Sequence, residues 1–192
     1  MLERLTSYWV YGGFLASFLL LALIALAGHA MTAALALVSL QLPIYMIHQY
    51  EEHDDDRFRR FFNQLIGDGR ELLTRPAVFV INIGGVWGVY LAAILLAATV
   101  DIGFGLIAVY GTLVNAVVHC AAAVAKRTYN PGLATAIVLF LPIGGAGLWL
   151  VTATGAALGW HGLGLAVAIG IHAVIIGYVL RRRRRLPQPQ IS

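Results

Sequence analysis

The chain has 192 residues, of which 60% are hydrophobic and 11% charged, and its mean hydropathy is +0.82; a soluble domain has about 45–50% apolar and about 25% charged residues. These proportions exclude a soluble globule, a disordered chain and a fibrous repeat, and leave a polytopic membrane protein. The net charge of +4 does not point to nucleic acid, because the basic residues are spread along a membrane edge without a soluble reader module. The single cysteine, Cys120, supplies neither a disulfide framework nor a CxxC metal site.

Apolar runs bounded by charges or turn residues predict an all-α transmembrane bundle with six spans, over residues 8–27, 31–50, 77–99, 104–125, 133–154 and 162–180. Irregular backbone is costly in hydrocarbon, so each run is expected to be helical, with Gly, Pro and polar residues marking the turns. The division is one helical domain over residues 1–180 and a basic cytoplasmic tail over residues 181–192. The first run has an alternative reading: Arg4, an apolar stretch and Ala25-Leu26-Ala27 together resemble a secretory signal with its cleavage site.

Between spans 2 and 3, residues 57–73 place Phe58, Phe61, Phe62, Leu65, Ile66, Leu72 and Leu73 on one helical face. Arg59, Arg60, Asn63, Gln64, Arg70 and Glu71 fall on the other. This segment is expected to lie as an amphipathic helix on the membrane interface, or to pack on the bundle as an ordinary one.

All thirteen Lys and Arg residues fall on one side of this arrangement: Arg4, the five arginines between spans 2 and 3, Lys126 and Arg127, and Arg181 to Arg185. The loops around His29, Asp101 and His161 carry none. Short loops rich in Lys and Arg stay in the cytoplasm, so both termini of this multi-pass protein are expected there, at the cell membrane. The pentaarginine run then reads as a stop-transfer signal, with attraction to anionic headgroups as a second use.

Ionisable residues inside a span are functional candidates, because insertion of a charge at a helix centre costs about 2.5–3.5 kcal/mol. His48, Glu51 and Glu52, at i, i+3 and i+4, share one face at the end of span 2, while His53 points elsewhere. Histidine and carboxylate at these spacings are metal-ligand pairs. The same acidic residues, with Asp54, Asp55 and Asp56, also fit the solvated end of a helix balanced by Arg57, Arg59 and Arg60.

In span 4, Asn115 and His119 repeat the i, i+4 spacing. His119 is seven residues before Lys126 and His172 is nine before Arg181, which at about 1.5 Å per residue puts them roughly 10 and 13 Å inside the cytoplasmic edge. Three histidines on three spans thus reach similar depth. Asn82 lies in the same layer and is expected to orient a ligand, and the turn Thr128-Tyr129-Asn130-Pro131-Gly132 is placed to close the site. The expected metal ligands are His48, Glu51, Glu52, His119 and His172. Glu51 doubles as a candidate catalytic base, and Asn82, Asn115 and Tyr129 support the ligands. The glycines at 84, 85, 88, 144, 145 and 147 are read as points of close helix packing.

His48-Gln49-Tyr50-Glu51-Glu52 resembles the signature of the HXXEE family of small integral membrane proteins. Asn115-Ala-Val-Val-His119, followed by Tyr129-Asn130-Pro131-Gly132-Leu133 and Thr135, is similar to that family's second conserved block. The resemblance runs from span 2 onward and implies a metal-binding membrane enzyme with His48, Glu51, Glu52 and His119 at the matching positions. It brings no settled reaction, and His172 stands outside both blocks.

Three histidines and two carboxylates without thiolates suit one or two divalent cations, zinc or iron. Zinc implies hydrolysis of a lipid-like ester or amide with a non-ligating Glu as base; iron implies oxidation of an acyl or isoprenoid chain. The expected partner is therefore a membrane lipid or lipid-like substrate, with the oligomeric state left open. Two other readings use the same residues differently: a proton- or cation-coupled transporter, against which spans 4–6 do not repeat the acidic signature of span 2, and a structural or lipid-binding subunit.

Overall fold

In the computed structural model, which describes residues 1–187, the chain forms seven helices joined by short turns: α1 (Leu2–Ala27), α2 (Ala33–His53), α3 (Arg57–Leu65), α4 (Arg75–Thr99), α5 (Leu106–Lys126), α6 (Leu133–Ala153) and α7 (Leu158–Arg185). No strand occurs among the described residues. The helix ends follow local chemistry. Thr32 accepts from Leu35 N at the start of α2, and Thr74 accepts from Ala77 N at the start of α4. Asp101 accepts from Gly103 N in the turn before α5. Each side chain satisfies a backbone donor that a helix N-terminus leaves free.

Five segments are long and apolar enough to cross a membrane: Leu2–Ala30, Arg75–Thr99, Ile102–Lys126, Leu133–Ala153 and Leu158–Arg185. The sequence reading counted six. The difference is α2, which at 21 residues spans roughly 30 Å at about 1.5 Å per residue, yet carries Ser39, Gln41, His48, Gln49, Glu52 and His53 among its buried side chains. It packs against α1, α4, α5 and α6, so these polar groups face protein, and the helix has no need of an apolar surface all round. Outward faces are apolar instead, with Leu15, Leu19, Trp149 and Val174 among the exposed large side chains.

Two helices carry π-helical stretches, at Ile81–Trp87 in α4 and Ala136–Gly144 in α6. Pro142 lies in the second, and a residue without a backbone N–H is a common cause of such a break in the ladder. The packing expected of the six glycines is mixed. A Cβ at Gly144 or Gly147 would meet α5 side chains, whereas Gly84, Gly85 and Gly145 have open space around them.

The amphipathic segment is shorter than the expected 57–73 helix. α3 ends at Leu65, and Gly67-Asp68-Gly69 turns the chain, with Asp68 and Gly69 at positive φ. Asn63 then holds the returning strand of chain by accepting from Leu73 N and donating to Leu73 O. Leu72 and Leu73 still reach an apolar cluster with Val78 and Val179, so their burial follows from the turn and not from a continued helical face. At the other end of the chain α7 runs on through Arg185; the basic tail therefore begins as helix, and residues 188–192 of it lie outside the described residues.

Candidate metal centre

The i, i+4 spacing on α2 brings His48 Nε2 to 3.6 Å from Glu52 Oε2. From α5, His119 Nε2 approaches the other oxygen of the same carboxylate, at 3.5 Å from Oε1. One ligand atom from each of His48, Glu52 and His119 lies within 4.8 Å of the others, and all three residues are buried. Two helices widely separated in sequence thus supply a two-histidine, one-carboxylate group.

The outer hydrogen bonds decide which nitrogen of each ring carries the proton. Thr135 has one hydroxyl hydrogen and directs it at Glu51 Oε2, at 2.5 Å. Its oxygen is then the acceptor for His48 Nδ1–H, at 2.9 Å. On the other ring, Asn130 donates from Nδ2 to the His119 carbonyl at 3.0 Å, which fixes the amide orientation and leaves its Oδ1 to accept from His119 Nδ1–H at 2.6 Å. Both imidazoles are therefore protonated at Nδ1, with Nε2 turned toward Glu52. A metal-ligating histidine needs this arrangement, its second nitrogen donating to an outer partner.

Glu51 lies elsewhere. Its carboxylate accepts from the Tyr129 hydroxyl at 2.5 Å, from Ala134 N at 3.1 Å and from Thr135 N at 2.7 Å, in addition to the Thr135 hydroxyl. Gly132 at the head of α6 has no side chain with which to cap that helix, and Glu51 does so from α2, placing negative charge at the helix N-terminus. The anticipated ligand and base is thus held away from the His48–Glu52–His119 group, and it touches that group only through Thr135.

The other expected residues divide. Asn115 donates from Nδ2 toward His48 Nε2 at 3.2 Å, beside the ligand atoms. Tyr129 contacts Glu51 and not the histidines. Asn82 accepts from Gln49, which in turn accepts from Trp87 Nε1–H; its own amide donates to Val78 O and sits 3.4 Å from His53 Nε2. His172 bonds Ala168 O on its own helix at 2.8 Å and is outside the three-residue group.

Three residues join the site that the sequence did not mark as ligands or their supports, one of them, Asn130, expected only as part of the turn that closes it. His53, expected to point elsewhere, lies 3.1 Å from Glu52 Oε2, because a flexible carboxylate is reached by its chain neighbour as well as by residues on its own face. Asn130 and Thr135 were visible as parts of the second sequence block, but their roles depend on how α6 returns to α2. Gly132 (φ +96°) makes that return possible: a Cβ there would fall 2.7 Å from His48 Cε1 and 2.8 Å from His119 Cε1.

The centre opens into a cavity of about 360 Å³ between α3, α4, α5 and α7, with Glu52, His119 and Asn115 at its polar end and His172 on its wall.

Residues 39–149 match the family described as proteins of unknown function with an HXXEE motif. No curated protein and no solved structure gives a significant match.

Proposed function

The chain belongs to the HXXEE-motif family of proteins of unknown function, and from that premise we propose that it is a metal-dependent membrane enzyme acting on a lipid-like substrate. In this reading α2 crosses the membrane with the five apolar segments, both termini are cytoplasmic, and α3 lies at the interface. The cell membrane is the location expected from the basic loops.

The observation that carries the proposal is the pair of outer hydrogen bonds, His48 to Thr135 and His119 to Asn130, which turn both Nε2 atoms toward one carboxylate. Asn115 and His53 flank the group, and the ligand atoms of His48, Glu52 and His119, gathered within 4.8 Å of one another, would hold a cation as their common partner. Two histidines and a carboxylate with no thiolate suit zinc, and equally suit the facial triad of a non-haem iron site. The single carboxylate in the group supports one ion and not a pair. When bound, a divalent ion supplies Lewis acidity to a polar group of the substrate.

The remaining residues position and exclude. Thr135 and Asn130 fix the rings, Glu51 holds the head of α6 against α2 as a positioning residue, and His53 constrains the Glu52 oxygen that faces His48. The buried walls around the group keep bulk water out.

Metal analysis of protein purified without chelators tests the reading directly. One equivalent of zinc or iron is expected, lost in His48→Ala, Glu52→Ala and His119→Ala. Zinc would favour hydrolysis, and iron would favour oxidation with dioxygen as the oxidant. Absence of metal from the unmodified protein overturns the proposal.

A further inference from the structure

The cavity beside the metal centre has a polar end and apolar walls, and its construction narrows what it takes. Its lining comes from α3 (Phe61, Leu65), α5 (Val118, Ala122) and α7 (Ile175, Ile176), with Glu52, His119 and Asn115 at the inner end. Leu65, Val118 and Ile176 are 39%, 46% and 58% exposed. On a bundle whose outer faces are apolar, exposed apolar side chains at a cavity mouth mean that it opens sideways toward lipid and not toward water.

Size and charge restrict the occupant further. About 360 Å³ is at the low end of the roughly 300–1,000 Å³ of ligand pockets, which suits one hydrocarbon chain and not two. Among the described residues no arginine lines the cavity and Lys126 is its one Lys. A phosphate head therefore finds no guanidinium fork of the kind that recognises it.

His172 adds the last constraint. Its Nδ1–H donates to Ala168 O, so Nε2, on the side of the ring away from its own helix, is an acceptor in an otherwise apolar wall. His172 is half-buried, and a ligand hydroxyl or amide N–H in the cavity would donate to this nitrogen in place of water.

We infer that this cavity binds an uncharged single-chain amphiphile with a hydrogen-bond donor in its head, a long-chain alcohol or primary amide, which enters from the bilayer between α3, α5 and α7 with its polar end toward the metal centre. The inference deepens the enzyme proposal and rests on it for the role of the bound molecule.

The test uses the full chain in phosphatidylcholine nanodiscs, a hexadecanol probe with a mid-chain diazirine, and a hexadecane diazirine as control. Cross-links to the alcohol probe are expected to concentrate on residues 61–65, 118–125 and 171–176. Unlabelled hexadecanol is expected to compete and hexadecyl phosphate to compete at least tenfold less well. Ala122→Trp, at an exposed position on the mouth, is expected to cut labelling tenfold or more without loss of metal. His172→Leu is expected to cut alcohol labelling at least fivefold and leave hexadecane labelling unchanged. Labelling spread evenly over the lipid-facing helices, or unaffected by Ala122→Trp, overturns the inference while a retained metal leaves the enzyme reading standing. Equal competition by hexadecyl phosphate overturns the uncharged head. Focused labelling in protein that holds no metal supports the cavity and removes the enzyme.

Discussion

Asn130 grips His119 at two points, accepting from its Nδ1–H at 2.6 Å and donating to its backbone carbonyl at 3.0 Å. The pair is buried, and the second bond prevents the amide from turning over, so the ring has one tautomer available. Replacing Asn130 by Asp keeps the acceptor, whereas Leu removes both contacts. Outer partners of metal ligands are typically worth about 10–100-fold in metal affinity. Asn130→Leu is expected to weaken metal binding by that factor and Asn130→Asp by much less, as measured by competition with a chromogenic chelator. Equal affinity in both variants would show that the Nδ1 contact does not set the ligand.

Thr135 joins two functions through one oxygen. It donates to Glu51 and accepts from His48, so Thr135→Val severs both, while Thr135→Ser keeps both. The valine variant is expected to lose about 10–100-fold in metal affinity, with the serine variant close to the original. Glu51→Gln behaves differently, because it removes a helix-capping charge without touching a ligand. A cost of about 0.5–2 kcal/mol in stability is expected from the weakened cap, with metal retained. Loss of metal in Glu51→Gln while Thr135→Val keeps it would return Glu51 to the ligand set.

These two residues also show where sequence ends and structure begins. His48 and Glu52 were legible because an α-helix fixes i and i+4 on one face, and His119 because its distance from Lys126 fixes its depth. Helical periodicity says nothing about a carboxylate's choice between its own helix face and a neighbouring helix terminus. By spacing Glu51 is therefore equivalent to Glu52, and what separates them is the head of α6 beside Glu51, which begins with Gly132 and has no cap of its own. His172 lies on the cavity wall outside the three-residue group, a placement that depends on how α7 rotates against α5. The helical bundle followed from apolar runs alone, whereas composition does not report that α2 is the helix packed against α1, α4, α5 and α6.

Gly132 is the tightest point of the site. Its φ of +96° is one that side chains rarely adopt, and an added Cβ would press on both imidazoles. Gly132→Ala is expected to cost on the order of 1–3 kcal/mol from backbone strain and to abolish metal binding as well, because both rings would have to shift from the positions their Nδ1 bonds hold. Thermal melts in detergent with and without added zinc separate the two effects. The original protein should gain stability with zinc and the variant should not. An equal zinc-dependent shift in the variant would mean that the rings tolerate displacement.

Two groups outside the spans give the fold opposite pH limits. Burial, reinforced by the hydrogen bond to Glu51, pushes the Tyr129 phenol up to about 12, above the roughly 10 of an unfolded tyrosine. A raised pKa contributes stability that is fully present below about 10 and is lost as pH rises through about 12. Asp56 is the reverse case. Burial alone would raise its carboxyl, but Arg59 and then Arg75 outweigh it and hold the pKa below the ordinary value, so its contribution is present above about 3.9 and disappears as pH falls below that. Hydrogen exchange is expected to show the 128–135 turn opening first in alkali and the 54–75 segment opening first in acid. Tyr129→Phe removes the alkaline response of the turn, and Asp56→Asn removes the acid response of the segment around α3. An alkaline response that persists in Tyr129→Phe would assign it to another group and leave the Tyr129–Glu51 contact without a part in holding α6 to α2.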